Sequence, residues 1–124
     1  MKAIKTEGAP AAIGPYAQAI EVNGMVFCSG QIPISPVSGA IEALDAAGQA
    51  VQVLLNLRAV LEAAGSSLHK VVKTTVFLTD IADFPAVNEV YAEVFGGHTP
   101  ARSTVQVGAL PRGAKIEIEA IAVK

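Results

Sequence analysis

The residues with the clearest chemical potential lie near the C-terminus, in the stretch Pro100–Lys124, PARSTVQVGALPRGAKIEIEAIAVK. Strand formers at Val105, Val107, Ile116, Ile118 and Ile121 mark two short strands joined by a Leu-Pro-Arg-Gly loop. Arg102 opens the first strand and Glu117 the second, inside a sheet from which charge is usually excluded. One reading is an ion pair between adjacent strand starts. The other is the two ends of a reaction site for a small anionic substrate, with Arg102 holding a carboxylate in two-point fashion. Charge-assisted bonds of about 1.5–3 kcal/mol each suffice to orient a small acid. Pro100 stiffens the backbone entering the first strand, which helps to aim Arg102.

Glu117 is equally two-sided. The alternation Lys115-Ile116-Glu117-Ile118-Glu119 fits a solvated strand face. If that face is covered, a carboxylate on it must be paired or used. Glu119 on the same face would raise its pKa, and Arg102 nearby would lower it. Asn88, between Phe84 and Tyr91 on a helix, reads first as a satisfied core amide and second as part of a pocket wall. Tyr16 and the Ser29-Gly30-Gln31 turn sit where loops meet strands, and packing alone would explain them. Cys28 alternates with Val26 inside a strand and reads as a buried, inert thiol. His69 and His98 have no acid or cysteine at ligand spacing, so no metal site is expected. Gly96-Gly97 closes a helix rather than opening one, so no phosphate loop is expected either.

The elements that must position these residues follow from periodicity. Lys2–Thr6 fits a short edge strand and Gly8–Tyr16 a loop. Ala17–Val22 and Met25–Gly30 flank Asn23-Gly24, a strong hairpin signal. The prolines, glycines and serines of residues 32–44 exclude regular structure. From Asp45, a plausible N-cap, Ala46, Ala50, Val53, Leu54, Leu57, Leu61 and Ala64 form one helical face, and Gly65 stops it. Val71–Thr79 is a strand rich in β-branched residues. Asp83 then caps a second helix, with Pro85 in its first turn, the stripe Phe84, Val87, Tyr91 and Val94, and Gly96-Gly97 at its end.

The order is β-β-β-α-β-α-β-β, an α+β single domain over residues 1–124. Its two helices can cover only one face of the sheet. On the last strand Ile116, Ile118, Ala120 and Ala122 share one face, and Glu117, Glu119, Ile121 and Val123 the other. The second face is polar at its start and apolar at its end, which predicts a second subunit lying over it. Charged residues at 16%, against roughly 25% in typical soluble domains, point the same way.

Composition narrows the function classes. A net charge of −2 gives no basic footprint for nucleic acid. No apolar run is long enough for a membrane span, and the N-terminus lacks the apolar core of a secretory signal. A single cysteine fits a reducing compartment, so the expected location is cytoplasmic.

The segments IGPYAQAI, SGQIP, VVKTTVFLTDIADFPAVNEVY, PARSTVQV and LPRGAKIEIEAIAV closely resemble the RidA (YjgF) family of reactive-intermediate imine deaminases, end to end and in order. The resemblance implies a chorismate-mutase-like fold assembled as a homotrimer with inter-subunit clefts. It also implies hydrolysis of 2-imino acids, released by pyridoxal-phosphate-dependent dehydratases, to 2-keto acids and ammonia without cofactor or metal. Carried over by position, Arg102 would clamp the substrate carboxylate and Glu117 would position or activate the attacking water. Tyr16, Ser29 and Gly30 would line the cleft, and Asn88 would support its wall. Thr104 stands where several members carry a cysteine whose main chain borders the site. The segment Gly96-Gly97-His98-Thr99 is short and lacks an aromatic often found before Pro100. A non-catalytic trimeric binder of small carboxylates, a chaperone-like or translation-inhibitor role, and an endoribonuclease are the competing readings. The acidic balance disfavours the last.

Overall fold

Asn23 and Gly24 both adopt positive φ, 51° and 75°, the conformation a two-residue type I′ turn requires. They join β2 (Ala19–Val22) to β3 (Met25–Gln31), and β1 (Lys2–Ile4) pairs with the outer edge of β2. The remaining elements of this computed structural model, which describes Met1–Lys124, are α1 (Ala46–Ala63), β4 (Val71–Leu78), α2 (Phe84–Phe95), β5 (Ala101–Gln106) and β6 (Ile116–Val123). The expected order is therefore the observed one.

The six strands form one sheet in the order β1-β2-β3-β6-β4-β5. Every pairing is antiparallel except β4 with β5, which are parallel and joined through α2. A parallel pair needs such a crossover, because a tight turn cannot return the chain to the same end of the sheet. β6 lies at the centre, between β3 and β4, with its Ile116, Ile118, Ala120 and Ala122 buried beneath the helices. The expected α1 stripe is likewise buried in full, from Ala46 to Ala64.

Local chemistry sets the helix ends. The Asp45 side chain accepts from the Gly48 N–H at 2.9 Å, and Gly65 turns the chain away at φ 80°. α2 departs from expectation at its start. Asp83 makes no side-chain cap bond; instead Asp80 accepts from the Ala82 N–H and caps a short 3-10 turn, Ile81–Asp83, that runs into the helix. That turn already occupies the geometry in which an Asp83 cap would form.

The loop 32–44 has no helix or strand beyond a single bridge between Ile34 and Ile41. Asn56 on α1, fully buried, anchors it: its amide donates to the carbonyls of Ile32 (3.2 Å) and Ile34 (3.0 Å) and accepts from Gln52 (2.9 Å). Asn56→Ala would leave the buried Ile34 carbonyl without its donor, while the Ile32 carbonyl keeps the Ile34 N–H at 2.8 Å. A loss of roughly 2 kcal/mol in urea unfolding is expected, against a few tenths for an exposed control such as Arg58→Ala.

Candidate active site

Arg102 begins β5, and its neighbour across the ladder is Thr74 on β4. Thr74 is fully buried under the helices, so Arg102 emerges on the helical face of the sheet. There α2 meets it with three side chains. The Arg102 Nη1 donates to Asn88 Oδ1 at 2.8 Å, and its guanidinium carbon lies 4.8 Å from the Tyr91 ring centre and 5.1 Å from that of Phe84. Phe84, Asn88 and Tyr91 fall at i, i+4 and i+7, one side of a helix. Beside this assembly opens a cleft of about 470 Å³, lined by Asn88, Tyr91, Ala92, Gly97, His98, Thr99, Pro100 and Arg102. Asn88 is exposed rather than in the core, which corrects the first reading of its position and supports the second.

Thr104 follows on the same side of β5, and its hydroxyl is buried without a hydrogen-bond partner. β5 is an edge strand, and the Val107 N–H donates to Leu78 of β4 at 2.8 Å. Alternation therefore leaves the main-chain N–H groups of Arg102 and Thr104 on the free edge, available to an acceptor from outside the chain.

Glu117 occupies the other face. It lies opposite Phe77 of β4, on the side of the sheet that no helix covers. Burial raises its pKa above the ordinary carboxylate value, and the Glu119 charge adds to the effect. The surroundings that desolvate it include a β-bulge. Between Cys28 and Gln31 the ladder to β6 slips by one residue, which brings Gly30 against the Glu117 side chain. A Cβ at Gly30 would lie 2.8 Å from Glu117 Cδ, so glycine is required for the close approach itself. The same irregularity lets Ser29 reach backward: its hydroxyl donates to the Ala17 carbonyl at 2.6 Å and its N–H to Gln18 at 2.9 Å. Tyr16, 54% exposed, is thereby held at the Ser29–Gly30 side of the molecule, where it also borders a larger cavity under the N-terminal loop.

The two ends are thus not adjacent. β4 separates β5 from β6, and the register sets Arg102 level with Thr74 but Glu117 level with Phe77. Two strand spacings and three residues put their Cα atoms roughly 14 Å apart, on opposite faces. The ion pair between neighbouring strand starts is excluded. The ion pairs in the chain are Arg58–Glu62 and Lys124–Glu21. The chain presents two separate groups of candidate residues: Arg102 with Asn88 and Thr104 on the helical side of the sheet, and Glu117 against Gly30 on the open side.

Comparison with known proteins places the chain in a family. The family described as Endoribonuclease L-PSP matches residues 6–124. A protein of Salmonella typhimurium named 2-iminobutanoate/2-iminopropanoate deaminase is 52% identical, covering 99% of this chain and 98% of its own. The chain belongs to the RidA/YjgF family. A mouse protein of the same deaminase name is 50% identical, over 99% of this chain and 91% of its own. The crystal structure of the Escherichia coli YjgF product superposes with a TM-score of 0.96 at 51% identity, covering 100% of this chain and 99% of that one. Escherichia coli TdcF, solved with bound serine, gives a TM-score of 0.95 at 50% identity, with the same coverage. The α+β fold expected of a RidA-like chain is the fold observed.

Phe84 and Tyr91 were legible as helix stripe but not as a bed for Arg102, whereas the segment 96–99, which the resemblance relates to the pocket's rim, does border the cleft through Gly97, His98 and Thr99. Spacing alone would have placed Phe84, Asn88 and Tyr91 on one side of α2; only the sheet order puts Arg102 against it. No helix is long and apolar enough to cross a membrane. Cys28 is buried and its thiol is pushed up to about 12 by desolvation, in keeping with an inert role.

The raised pKa of Glu117 has a stability sign. A carboxyl whose folded pKa lies above its unfolded value favours folding when protonated, and that contribution is lost as pH rises through the folded pKa. Glu117→Gln is expected to melt higher than wild type at neutral pH and to lose the advantage in acid. Gly30→Ala, by pushing the carboxylate toward water, is expected to bring the Glu117 titration, followed by carboxyl NMR, back toward the ordinary range.

Proposed function

We propose that this RidA-family protein is a 2-iminobutanoate/2-iminopropanoate deaminase whose reaction sites are shared between subunits of a homotrimer. The observation that carries the reading is the state of Arg102. Asn88 takes one of its N–H donors, two aromatic rings flank it, and the chain offers the other donors no acceptor. A guanidinium so held is ready for a carboxylate. Glu117, whose carboxyl is raised above its ordinary pKa by burial, supports the second requirement, a general base for an attacking water.

In this reading Arg102 binds the carboxylate of a 2-imino acid from one subunit, and Glu117 of a neighbour faces the imine carbon. Glu117 orients a water and accepts its proton as the oxygen attacks. That proton passes to the nitrogen to give a carbinolamine; the hydroxyl proton then moves through Glu117 to the same nitrogen as the C=O bond forms and the C–N bond breaks, and a 2-keto acid and ammonia leave. The imine carbon is already electrophilic, so orientation and one base suffice without a covalent nucleophile. Thr104 offers its free-edge N–H to the carboxylate, Asn88 steadies the arginine, and Tyr16, Ser29 and Gly30 form the opposing wall.

Sharing between subunits is supported by the opposite-face placement of Arg102 and Glu117, and by the mixed uncovered face. That face exposes Phe27, Val105 and Val123, each about two-fifths accessible, beside Glu117 and Glu119. We also assign the protein to the cytoplasm, supported by a single cysteine that is free and buried.

The test is turnover. Added to a threonine dehydratase reaction, the protein should speed keto-acid appearance and lower the imine trapped by semicarbazide. Arg102→Ala should abolish the effect, and an unimpaired Arg102→Ala protein would sink the mechanism. Glu117→Gln should lose turnover while still binding 2-ketobutyrate. Trimers refolded from equal amounts of the two inactive variants should recover about a quarter of wild-type activity, because one site in four then receives both intact residues. Mixtures that stay inactive would mean that no site is shared.

A further inference from the structure

Beneath Arg102 lies a buried polar contact that the reaction does not use. The Tyr91 hydroxyl and Thr74 Oγ1 are 2.7 Å apart, between α2 and the centre of the sheet. Thr74 is fully buried and Tyr91 nearly so, and the two side chains satisfy each other. Burial also holds the Tyr91 phenol above its ordinary pKa, so it stays protonated at neutral pH. A hydrophobic core at this point needs neither oxygen, since replacing both partners together by valine and phenylalanine leaves no polar group unpaired.

We infer that the Thr74–Tyr91 pair is a positioning device for Arg102, fixing the aromatic bed that sets the plane of the carboxylate-binding guanidinium. Thr74 is the direct ladder neighbour of Arg102, so the pair ties the root of the arginine to the ring under its head. The Tyr91 ring is otherwise held by packing, including Phe95 at 4.5 Å between centroids. A hydrogen bond at the para position pins the far end of the ring and so opposes its swinging away from the sheet, while packing on its faces limits its turning. Two-point binding of a carboxylate needs the guanidinium plane held to within about 10–20°. Asn88 fixes one edge of that plane, and the Phe84 ring and the pinned Tyr91 ring bound the guanidinium at 5.1 and 4.8 Å.

The inference rests on Arg102 being the carboxylate site, and the test separates the two. Thr74→Val, Tyr91→Phe and the double variant retain shape, and melting temperature serves as the control for folding. Calorimetric titration with 2-ketobutyrate reads carboxylate affinity without turnover. Each single variant is expected to weaken binding by roughly threefold to tenfold, and to raise KM by a similar factor with a smaller change in kcat. The double variant is expected to bind no worse than either single one, since one contact is removed in all three. Its melting temperature should exceed those of the singles, which each leave one hydroxyl unpaired. A merely structural pair would lower stability and leave affinity unchanged. Wild-type affinity in Tyr91→Phe and Thr74→Val would overturn the inference alone. A wild-type protein that binds no 2-ketobutyrate would overturn the carboxylate site and the inference with it. A wild type that binds normally but does not hydrolyse imines would sink the deaminase and leave the positioning role to be decided by the affinities.

Discussion

The two-residue period of β6 is the constraint on which the architecture turns. Ile116, Ile118, Ala120 and Ala122 must go under the helices, because no other surface of a chain this size can bury them. Glu117 and Glu119 are then driven through to the opposite face, whatever their own preferences. A one-residue slip would bury both acids and expose the core, so the register is as strong as the core itself. β6 is also the central strand, and its neighbours inherit that division of faces. Phe77 shares the open side with Glu117, and Thr74 shares the closed side with Arg102.

From that division follows the electrochemical character of the site. A cation and an acid in reach of each other would neutralise, with the carboxyl held low and the guanidinium occupied. Kept on opposite faces, each retains a capacity the chain does not consume. The carboxyl of Glu117 is partly desolvated and repelled by Glu119, so it gains basicity. Arg102 is supported by neutral partners, one amide oxygen and two rings, so its charge stays uncancelled. In the proposed trimer these two capacities meet only at the boundary between copies. Assembly, rather than folding, would then complete the site.

The parallel β4–α2–β5 unit is what gives the arginine its bed. Because the crossover returns the chain beside β4, the start of β5 lies under the helix that preceded it. Phe84, Asn88 and Tyr91 therefore face a residue only a short loop downstream. The bulge at Ser29–Gly30 does corresponding work on the other side, bringing backbone close to Glu117 while Ser29 holds the Tyr16 loop.

Much of this was legible before any coordinates. Periodicity located every strand and both helices, Asn23-Gly24 the hairpin, and Asp45 and Gly65 the limits of α1, because each depends on residues close together in the chain. The mixed outer face of β6 was also readable, since alternation along a strand is local. The acid and the arginine were singled out, but as residues of adjacent strands, and the strand order sets them apart. Chain order makes β5 and β6 successive, and nothing local reveals that β4 is inserted between them. The Asp83 cap failed for a similar reason: Asp80 and a 3-10 turn had already settled how the helix begins. By itself, the sequence determined which elements form and which face each residue takes, because dihedral preference and side-chain period are properties of neighbours. Only the tertiary structure decided that Arg102 and Glu117 face apart, because strand order arises from how the core is shared among distant segments.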